Sequence, residues 1–125
     1  MGKFDELAAN IENVDSLSKA TSDDLKSILE KIPTIDSDYL EFLGSVGYGN
    51  LGDIQLYSGV INPKEVYVSP RDKLDDVLLF GDDTQGYCFG FKLDEDLRVV
   101  EIDPKGQVSR DVEPTFVELM QAYFG

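Results

Sequence analysis

The spacing of the apolar residues changes along the chain, and this change constrains the fold more than any other feature. Near both ends apolar residues recur every three or four positions, as in an amphipathic helix. Between Tyr48 and Val112 they alternate with polar residues, as in a half-buried strand. A chain of 125 residues has enough apolar side chain for one core. We therefore expect a single domain over residues 1–125, with helices first, strands in the middle and a closing helix.

Four segments carry the helical spacing, each with apolar residues at positions i, i+3, i+4 and i+7. They are Phe4, Leu7, Ala8 and Ile11; Leu25, Ile28, Leu29 and Ile32; Tyr39, Phe42, Leu43 and Val46; and Phe116, Leu119, Met120 and Tyr123. Candidate start signals are the capping-box pair Thr21 and Asp24, the N-cap residue Asp36, and Pro114 in a first helical turn. Gly44 and Gly47 are the predicted stop of the third helix. We expect these apolar faces to form core rather than a ligand site.

The middle of the chain predicts an antiparallel meander. Four runs alternate with a period of two residues, as strands do. In the first, Ile54 and Leu56 alternate with Gln55 and Tyr57, and in the second, Val66 and Val68 alternate with Tyr67. In the third, Tyr87, Phe89, Phe91 and Leu93 alternate with Cys88, Gly90 and Lys92, and the fourth contains Val108, Arg110 and Val112. Turn signals separate these runs, and the sequence of residues 103–106 fits a type I turn. Short turns join antiparallel strands, which excludes a doubly wound parallel sheet. We predict an α+β fold with N-terminal helices, a central antiparallel sheet and a C-terminal helix packed on one sheet face.

Charge is the strongest signal in the composition. Twenty-five acidic residues against eleven Lys and Arg give a formal net charge of -14. This charge would repel nucleic-acid phosphates and anionic lipids, so we expect no direct nucleic-acid binding and no membrane binding. The sequence has no apolar run long enough to span a bilayer, no signal-peptide pattern and a single cysteine, so we expect a cytoplasmic location. The same field would attract a basic protein and speed the encounter with it. From charge alone, the simpler explanation is a solvated acidic surface without a dedicated partner.

The residue types that usually carry catalysis are scarce. There is no histidine, which removes the usual general base and the commonest nitrogen ligand of metals. Cys88 lies in a predicted strand between two aromatic residues, where a buried position is expected rather than a nucleophile. Acidic pairs such as Asp75 and Asp76 suit glycoside hydrolysis, but they carry little information in so acidic a chain. We predict no catalytic site, no metal and no cofactor, with a carboxylate-based hydrolase as a minor alternative.

Two segments together resemble the SUKH superfamily, the Smi/Knr-type group. Residues 32–44 form a proline-led helix that carries Tyr39, Phe42 and Leu43, and residues 79–91 form two strands with a Gly-Asp-rich turn between them. The glycine-rich residues 44–49 and the C-terminal helix complete the pattern, which covers the chain from residue 25 onward. The family often has an acidic residue directly after the second glycine of the turn, where this chain has Tyr87.

The resemblance implies a non-enzymatic protein-binding module. Many bacterial members are immunity proteins that bind and neutralise the toxin domain of a polymorphic or contact-dependent secretion system, frequently a nuclease. The partner implied here is a basic toxin domain encoded nearby, bound by a monomer or weak dimer of this chain. Fungal members act as regulatory scaffolds, so a scaffold without a toxin partner is the alternative.

We predict the binding surface on the sheet face that the helices leave uncovered, together with its loops. The candidate contacts are Tyr48, Tyr57 and Tyr67 as aromatic anchors and Asp82, Asp83, Asp94, Glu95 and Asp96 as charge partners. Two simpler explanations stay open at this point. Sheet tyrosines are often half-buried core residues, and acids in turns are often only solvated.

Overall fold

Helices, strands and a last helix follow one another in the predicted order. The computed structural model describes residues 4–11, 14–69, 74–93 and 96–124. The helices are α1 (Asp5–Ala9), α2 (Ser22–Lys31), α3 (Ser37–Ser45) and α4 (Phe116–Phe124), and short 3-10 turns cover Val14–Ser16 and Pro63–Glu65. The strands are β1 (Gly49–Asn50), β2 (Gln55–Ile61), β3 (Val77–Asp82), β4 (Cys88–Lys92), β5 (Arg98–Ile102) and β6 (Val108–Glu113). The predicted α+β fold is confirmed.

The six strands form one antiparallel sheet in the order β1-β2-β3-β4-β5-β6. Each strand therefore pairs with its neighbours in sequence, as a meander requires. The helices pack on one side, which we call the helix face, and the opposite side is the second face. The predicted alternation along β4 is confirmed, because Phe89 and Phe91 belong to the core of the helix face and Cys88 to a smaller core on the second face.

Two predicted helix starts are confirmed by their hydrogen bonds. The amide of Asp24 donates to Oγ1 of Thr21 (3.1 Å), and the amide of Thr21 donates back to Oδ2 of Asp24 (2.9 Å), which completes the capping box of α2. At α3, the amide of Asp38 donates to Oδ1 of Asp36 (2.9 Å). Each bond satisfies an amide that the first helical turn leaves without a partner.

The predicted role of Pro114 is wrong. Helix α4 begins at Phe116, and Pro114 lies in the bend before it. Thr115 caps the helix instead, since its Oγ1 accepts a hydrogen bond from the amide of Glu118 (3.2 Å). Threonine provides a side-chain oxygen for this purpose, whereas proline has none.

Helix α3 stops where Gly47 permits a sharp change of direction. The amide of Gly47 donates to the carbonyl of Phe42 (2.9 Å), and Gly47 has a φ of +124°. A Cβ atom at this position would also lie 2.7 Å from the carbonyl oxygen of Ser18. Gly44 lies inside the helix, so Gly47 alone acts as the predicted stop.

Aromatic side chains fill the centre of the helix face. Tyr39 of α3 makes edge-on contacts with Phe116 of α4 and Phe91 of β4, at ring-centroid distances of 5.0 Å and 5.1 Å. Phe80 of β3 stacks on Phe91 at 4.5 Å. Buried aromatic pairs of this kind contribute about 0.5–1.5 kcal/mol beyond the area they bury. They join α3, α4 and the middle strands into one core.

The predicted strand at residues 66–68 is wrong. Asn62 caps the 3-10 turn Pro63–Glu65, and the amide of Tyr67 donates to the carbonyl of Pro63 (2.8 Å) rather than to a neighbouring strand. Tyr67 is buried, while Val66 is 44% exposed and Val68 is 100% exposed. The alternation of side chains that suggested a strand therefore arises in a loop that covers part of the second face.

The described helices are short compared with the thickness of a membrane. The longest described helix, α2, has 10 residues, and none of the helices in the described part of the chain has the length and apolar content needed to cross a bilayer.

Candidate functional site

Three hairpin turns lie at the same end of the sheet. They join β1 to β2, β3 to β4 and β5 to β6, at residues 51–54, 83–87 and 103–107. In a meander every second turn falls at the same end, while the β4–β5 turn falls at the other. A Cβ atom on Gly86 would lie 3.1 Å from Cγ of Pro104, so the second and third turns are in contact. We call this region the turn end.

The second and third turns share one hydrogen-bond pattern. Oδ1 of Asp83 accepts from the amides two and four residues later, at 2.8 Å and 3.1 Å, and Oδ1 of Asp103 does the same at 2.9 Å and 3.0 Å. The fourth residue of each turn is a glycine with positive φ, +101° at Gly86 and +79° at Gly106. Both aspartates are half-buried, so these fixed carboxylates still present negative charge to solvent.

A polar cluster lies on the second face beside these turns. The hydroxyl of Tyr57 donates to Oδ2 of Asp82 (2.8 Å) and lies 4.0 Å from Sγ of Cys88. The hydroxyl of Tyr67 donates to the carbonyl of Ile102 over a longer distance of 3.5 Å. These contacts connect β2, β3 and β4, and they connect the loop after β2 to β5. The loop after β2 therefore covers part of the second face and encloses polar atoms there.

Burial raises the pKa values of the two tyrosines and the cysteine in this cluster. Burial and the hydrogen bond to Asp82 raise the pKa of Tyr57 well above its ordinary value of 10.0. Burial also raises the pKa of Tyr67, and the charges of Asp103 and Asp82 add to this effect. The pKa of the Cys88 thiol is likewise raised by burial, which the tyrosine hydrogen bonds partly oppose. Cys88 is buried as predicted, and its raised pKa disfavours the thiolate that a nucleophile needs.

Four of the eight predicted contact residues come together here. Tyr57, Tyr67, Asp82 and Asp83 all lie at or beside the turn end, on the second face or in the second turn. Tyr67 is only 7% exposed, so its ring is core rather than a free aromatic anchor. Asp82 and Asp83 are half-buried and combine internal hydrogen bonds with solvent access.

The other four predicted residues do not join them. Tyr48 packs against the core of the helix face, and its backbone pairs with Ser18 in an isolated bridge. Asp96 is exposed in the β4–β5 turn, at the opposite end of the sheet, with a φ of +55°. Asp94 and Glu95 lie outside the described residues. The predicted set is therefore split between distant parts of the molecule.

The sequence reasoning missed two acids and two apolar residues at this site. Asp53 is exposed in the first turn, and Asp103 belongs to the third. Val66 and Val68 are exposed in the loop beside the third turn. The meander itself contained the signal for the acids, since it places alternate turns at one end. No sequence signal marked Val66 and Val68 as exposed loop residues, because the alternation of residues 66–68 predicts a strand.

The described residues form no cluster of metal ligands, and two concave regions border the turn end. Within residues 4–11, 14–69, 74–93 and 96–124, no three Cys, Asp or Glu side chains converge as metal ligands. A concave region of about 460 Å³ borders the first turn and includes Asn10 and Tyr123, and a second of about 390 Å³ lies between residues 66–69 and the third turn.

Comparison with known proteins identifies no family. No protein-family model matches the chain, and no curated protein matches it at a significant level of similarity.

Proposed function

We propose that this chain is a non-enzymatic protein-binding module of the SUKH type, an immunity protein that binds and neutralises a basic toxin domain. The observation that carries the proposal is the composition of the turn end, where three hairpin turns bring acidic side chains to one end of the sheet and the neighbouring loop exposes apolar ones. The acids are Asp53, Asp82, Asp83 and Asp103, and the apolar residues are Val66 and Val68. The family assignment itself rests on the order of the sequence motifs.

Charge supports a basic partner. The net charge of -14 produces a field that accelerates the approach of a positively charged domain. A nuclease is such a domain, since it needs a basic surface to contact the phosphates of its substrate. Covering that surface would exclude the substrate by steric hindrance and charge complementarity. Neutralisation of this kind needs no chemistry from the covering protein, and it would take place in the cytoplasm.

Internal hydrogen bonds support a preformed surface. Asp83 and Asp103 are each held by two backbone amides of their own turn, and Asp82 by the hydroxyl of Tyr57. Groups held in this way lose little conformational freedom when a partner binds. The acidic surface would therefore contribute to binding without first having to order itself.

A survival assay tests the proposed function. The C-terminal domain encoded immediately upstream of this gene is expressed in a test bacterium, with and without this chain, and colonies are counted. We expect killing that this chain relieves and that an unrelated acidic protein, expressed as a control, does not relieve. Killing that persists when this chain is well expressed would contradict the proposal and favour a scaffold role.

The electrostatic part has its own kinetic test. Asp83→Asn and Asp103→Asn together remove two charges and keep the oxygen that holds each turn. Glu30→Gln and Glu41→Gln form the matched control, because both residues are exposed on α2 and α3. We expect the turn variant to associate about two- to tenfold more slowly at low salt, with a weaker salt dependence, and the control to change less. Equal association rates for the two variants would place the electrostatic contact elsewhere.

A further inference from the structure

A concave pocket lies at the turn end, where the first hairpin turn meets the last residues of α1 and α4. Its volume is about 460 Å³, and its walls include Asn10 after α1, Asp53 of the first turn, and Tyr123 and Phe124 of α4. Ligand pockets in proteins commonly have volumes of about 300–1,000 Å³. We call this concavity the first-turn pocket.

Hydrogen bonds hold the walls of the first-turn pocket. The side-chain amide of Asn10 donates to the carbonyl of Phe124, which joins the end of α1 to the end of α4. In the first turn, Oδ1 of Asn50 accepts a hydrogen bond from the amide of Gly52 (2.7 Å). Because these walls are held without a ligand, little conformational freedom is lost when one binds.

Two features of the pocket favour a positive charge. Asp53 is exposed, and it is the one charged side chain among the described residues that line the pocket. Helix α4 also ends there, at Phe124, and the carbonyl groups at the C-terminal end of a helix carry partial negative charge. A cation in the pocket would be attracted by both, whereas an anion would be repelled by both and by the net charge of -14.

An aromatic ring adds a preference for one kind of cation. Tyr123 is 37% exposed, and its ring lies edge-on to Phe89 at a centroid distance of 6.3 Å. Tyrosine rings attract cations, and the planar guanidinium of arginine stacks on them. The guanidinium also has five N–H donors for a carboxylate and an amide oxygen. The ammonium group of lysine is more strongly hydrated and does not stack in this way.

Two other occupants suit the pocket less well. A metal ion needs several ligands, and among the residues that the structure describes no three Cys, Asp or Glu side chains converge on one point. A second copy of this chain would bring another net charge of -14 towards Asp53, and repulsion would oppose the contact.

We propose that the first-turn pocket takes an arginine side chain of the partner, with its guanidinium stacked on the ring of Tyr123 and paired with the carboxylate of Asp53. The partner itself rests on the proposed function, to which this inference adds the pocket, the residue type and its contacts. The affinity of the pocket for arginine depends only on the side chains of this chain, so it can be measured without the partner.

An arginine titration tests the chemistry of the pocket. The probe is arginine capped as N-acetylarginine methylamide, added to the isotope-labelled chain while its amide NMR signals are recorded. We expect saturable shifts in residues 50–53 and 123–124, with an affinity about threefold or more above that for lysine capped in the same way, which has the same charge. Equal affinities for the two probes, or shifts spread over the surface without saturation, would overturn the inference.

Substitutions in the pocket test the two contacts. Asp53→Asn and Tyr123→Leu should each weaken arginine binding about two- to fivefold, because each removes one exposed contact with the guanidinium. Tyr123→Phe keeps the ring and should change the affinity by less than about twofold. Glu30→Gln is the matched control for charge, since Glu30 is exposed on α2 and lies outside the pocket. Arginine affinity that neither Asp53→Asn nor Tyr123→Leu lowers would place the arginine elsewhere and overturn the inference.

Binding to the upstream-encoded domain, immobilised as the probe, tests whether the partner uses the pocket. Asp53→Asn and Tyr123→Leu should each raise the dissociation rate about two- to tenfold, and Tyr123→Phe and Glu30→Gln by less than about twofold. Urea unfolding midpoints show whether Tyr123→Leu remains folded, and Asp53→Asn changes only an exposed turn residue.

The outcomes separate this inference from the proposed function. A wild-type complex whose dissociation rate is unchanged by Asp53→Asn and by Tyr123→Leu would overturn the pocket as part of the interface and leave the proposed function standing. A wild-type chain that binds arginine selectively but neither rescues cells nor binds the domain would overturn the proposed function and leave the arginine site.

Discussion

The two faces of the sheet come from the same strands but differ in chemistry. Phe80 and Leu79 are neighbours on β3 and both are fully buried, yet Phe80 lies in the aromatic core under the helices and Leu79 in the small core of the second face. The second face also contains the thiol of Cys88 and the hydroxyls of Tyr57 and Tyr67. We infer that the helix face supplies most of the stability, and that the second face positions the polar and exposed groups of the turn end.

The largest expected losses of stability come from truncating the two neighbouring residues on β3, one on each face of the sheet. Phe80→Ala should lower the free energy of unfolding by about 3–5 kcal/mol, because it leaves a cavity among four other aromatic rings. Leu79→Ala should cost about 2–3 kcal/mol, since the core around it is smaller. Urea unfolding of both variants measures the difference. A larger loss from Leu79→Ala would reverse the assignment of stability to the helix face.

A smaller effect is expected from Tyr57→Phe. This change removes the hydroxyl that donates to Oδ2 of Asp82 at 2.8 Å. The bond joins β2 to β3 at a half-buried position, so its loss should lower the free energy of unfolding by about 1 kcal/mol. Tyr67→Phe is the internal control, because its bond to Ile102 is 3.5 Å long and should contribute less. Equal losses for the two variants would contradict this ranking.

A tyrosine-to-phenylalanine substitution on the helix face should stabilise the protein instead of destabilising it. The hydroxyl of Tyr39 is buried and finds no hydrogen-bond partner among the described residues. An unsatisfied buried hydroxyl is costly, so Tyr39→Phe should raise the free energy of unfolding by about 1 kcal/mol. A decrease measured by urea unfolding would mean that the hydroxyl has a partner in solution.

The last expected effect appears only in alkali, where stability should decline. Burial raises the pKa of Tyr39, Tyr57 and Tyr67 above the ordinary value of 10.0. The folded chain then keeps protons that the unfolded chain releases, so their contribution is complete below pH 10 and is lost as the pH rises further. Unfolding midpoints between pH 8 and about pH 11 should therefore fall in the upper part of this range.

Phenylalanine variants assign this decline to one face or the other. Tyr39→Phe removes the group on the helix face, and Tyr57→Phe with Tyr67→Phe removes those on the second face. Each variant should show a shallower decline than the wild type. A decline that is unchanged in all of them would mean that other groups cause it.

The sequence predicts the fold better than the site, and particular residues show why. Periodicity reports which side chains face a core, so it identifies Phe89 and Cys88 on opposite faces of β4. Local capping chemistry is also visible, as in Thr21 and Asp24. Periodicity does not distinguish a strand from a loop whose side chains happen to alternate, which is why Val66 and Val68 were misassigned.

The composition of the site depends on how distant turns meet. Asp83 and Asp103 lie in separate hairpins, and the turns of these hairpins come into contact because the meander puts both at one end of the sheet. The same topology sends Asp96 to the opposite end. Charge along the sequence gives no sign of this division, and only the strand order of the predicted meander carries it.

Amide hydrogen exchange of this chain, with and without the upstream-encoded domain, tests the assigned binding surface most directly. The account predicts that the partner slows exchange in residues 66–69, 83–87 and 103–107, while amides on the exposed sides of α2 and α3 exchange as before. Slowed exchange confined to α2 and α3, with the turn end unchanged, would contradict it and place the partner on the helix side of the sheet.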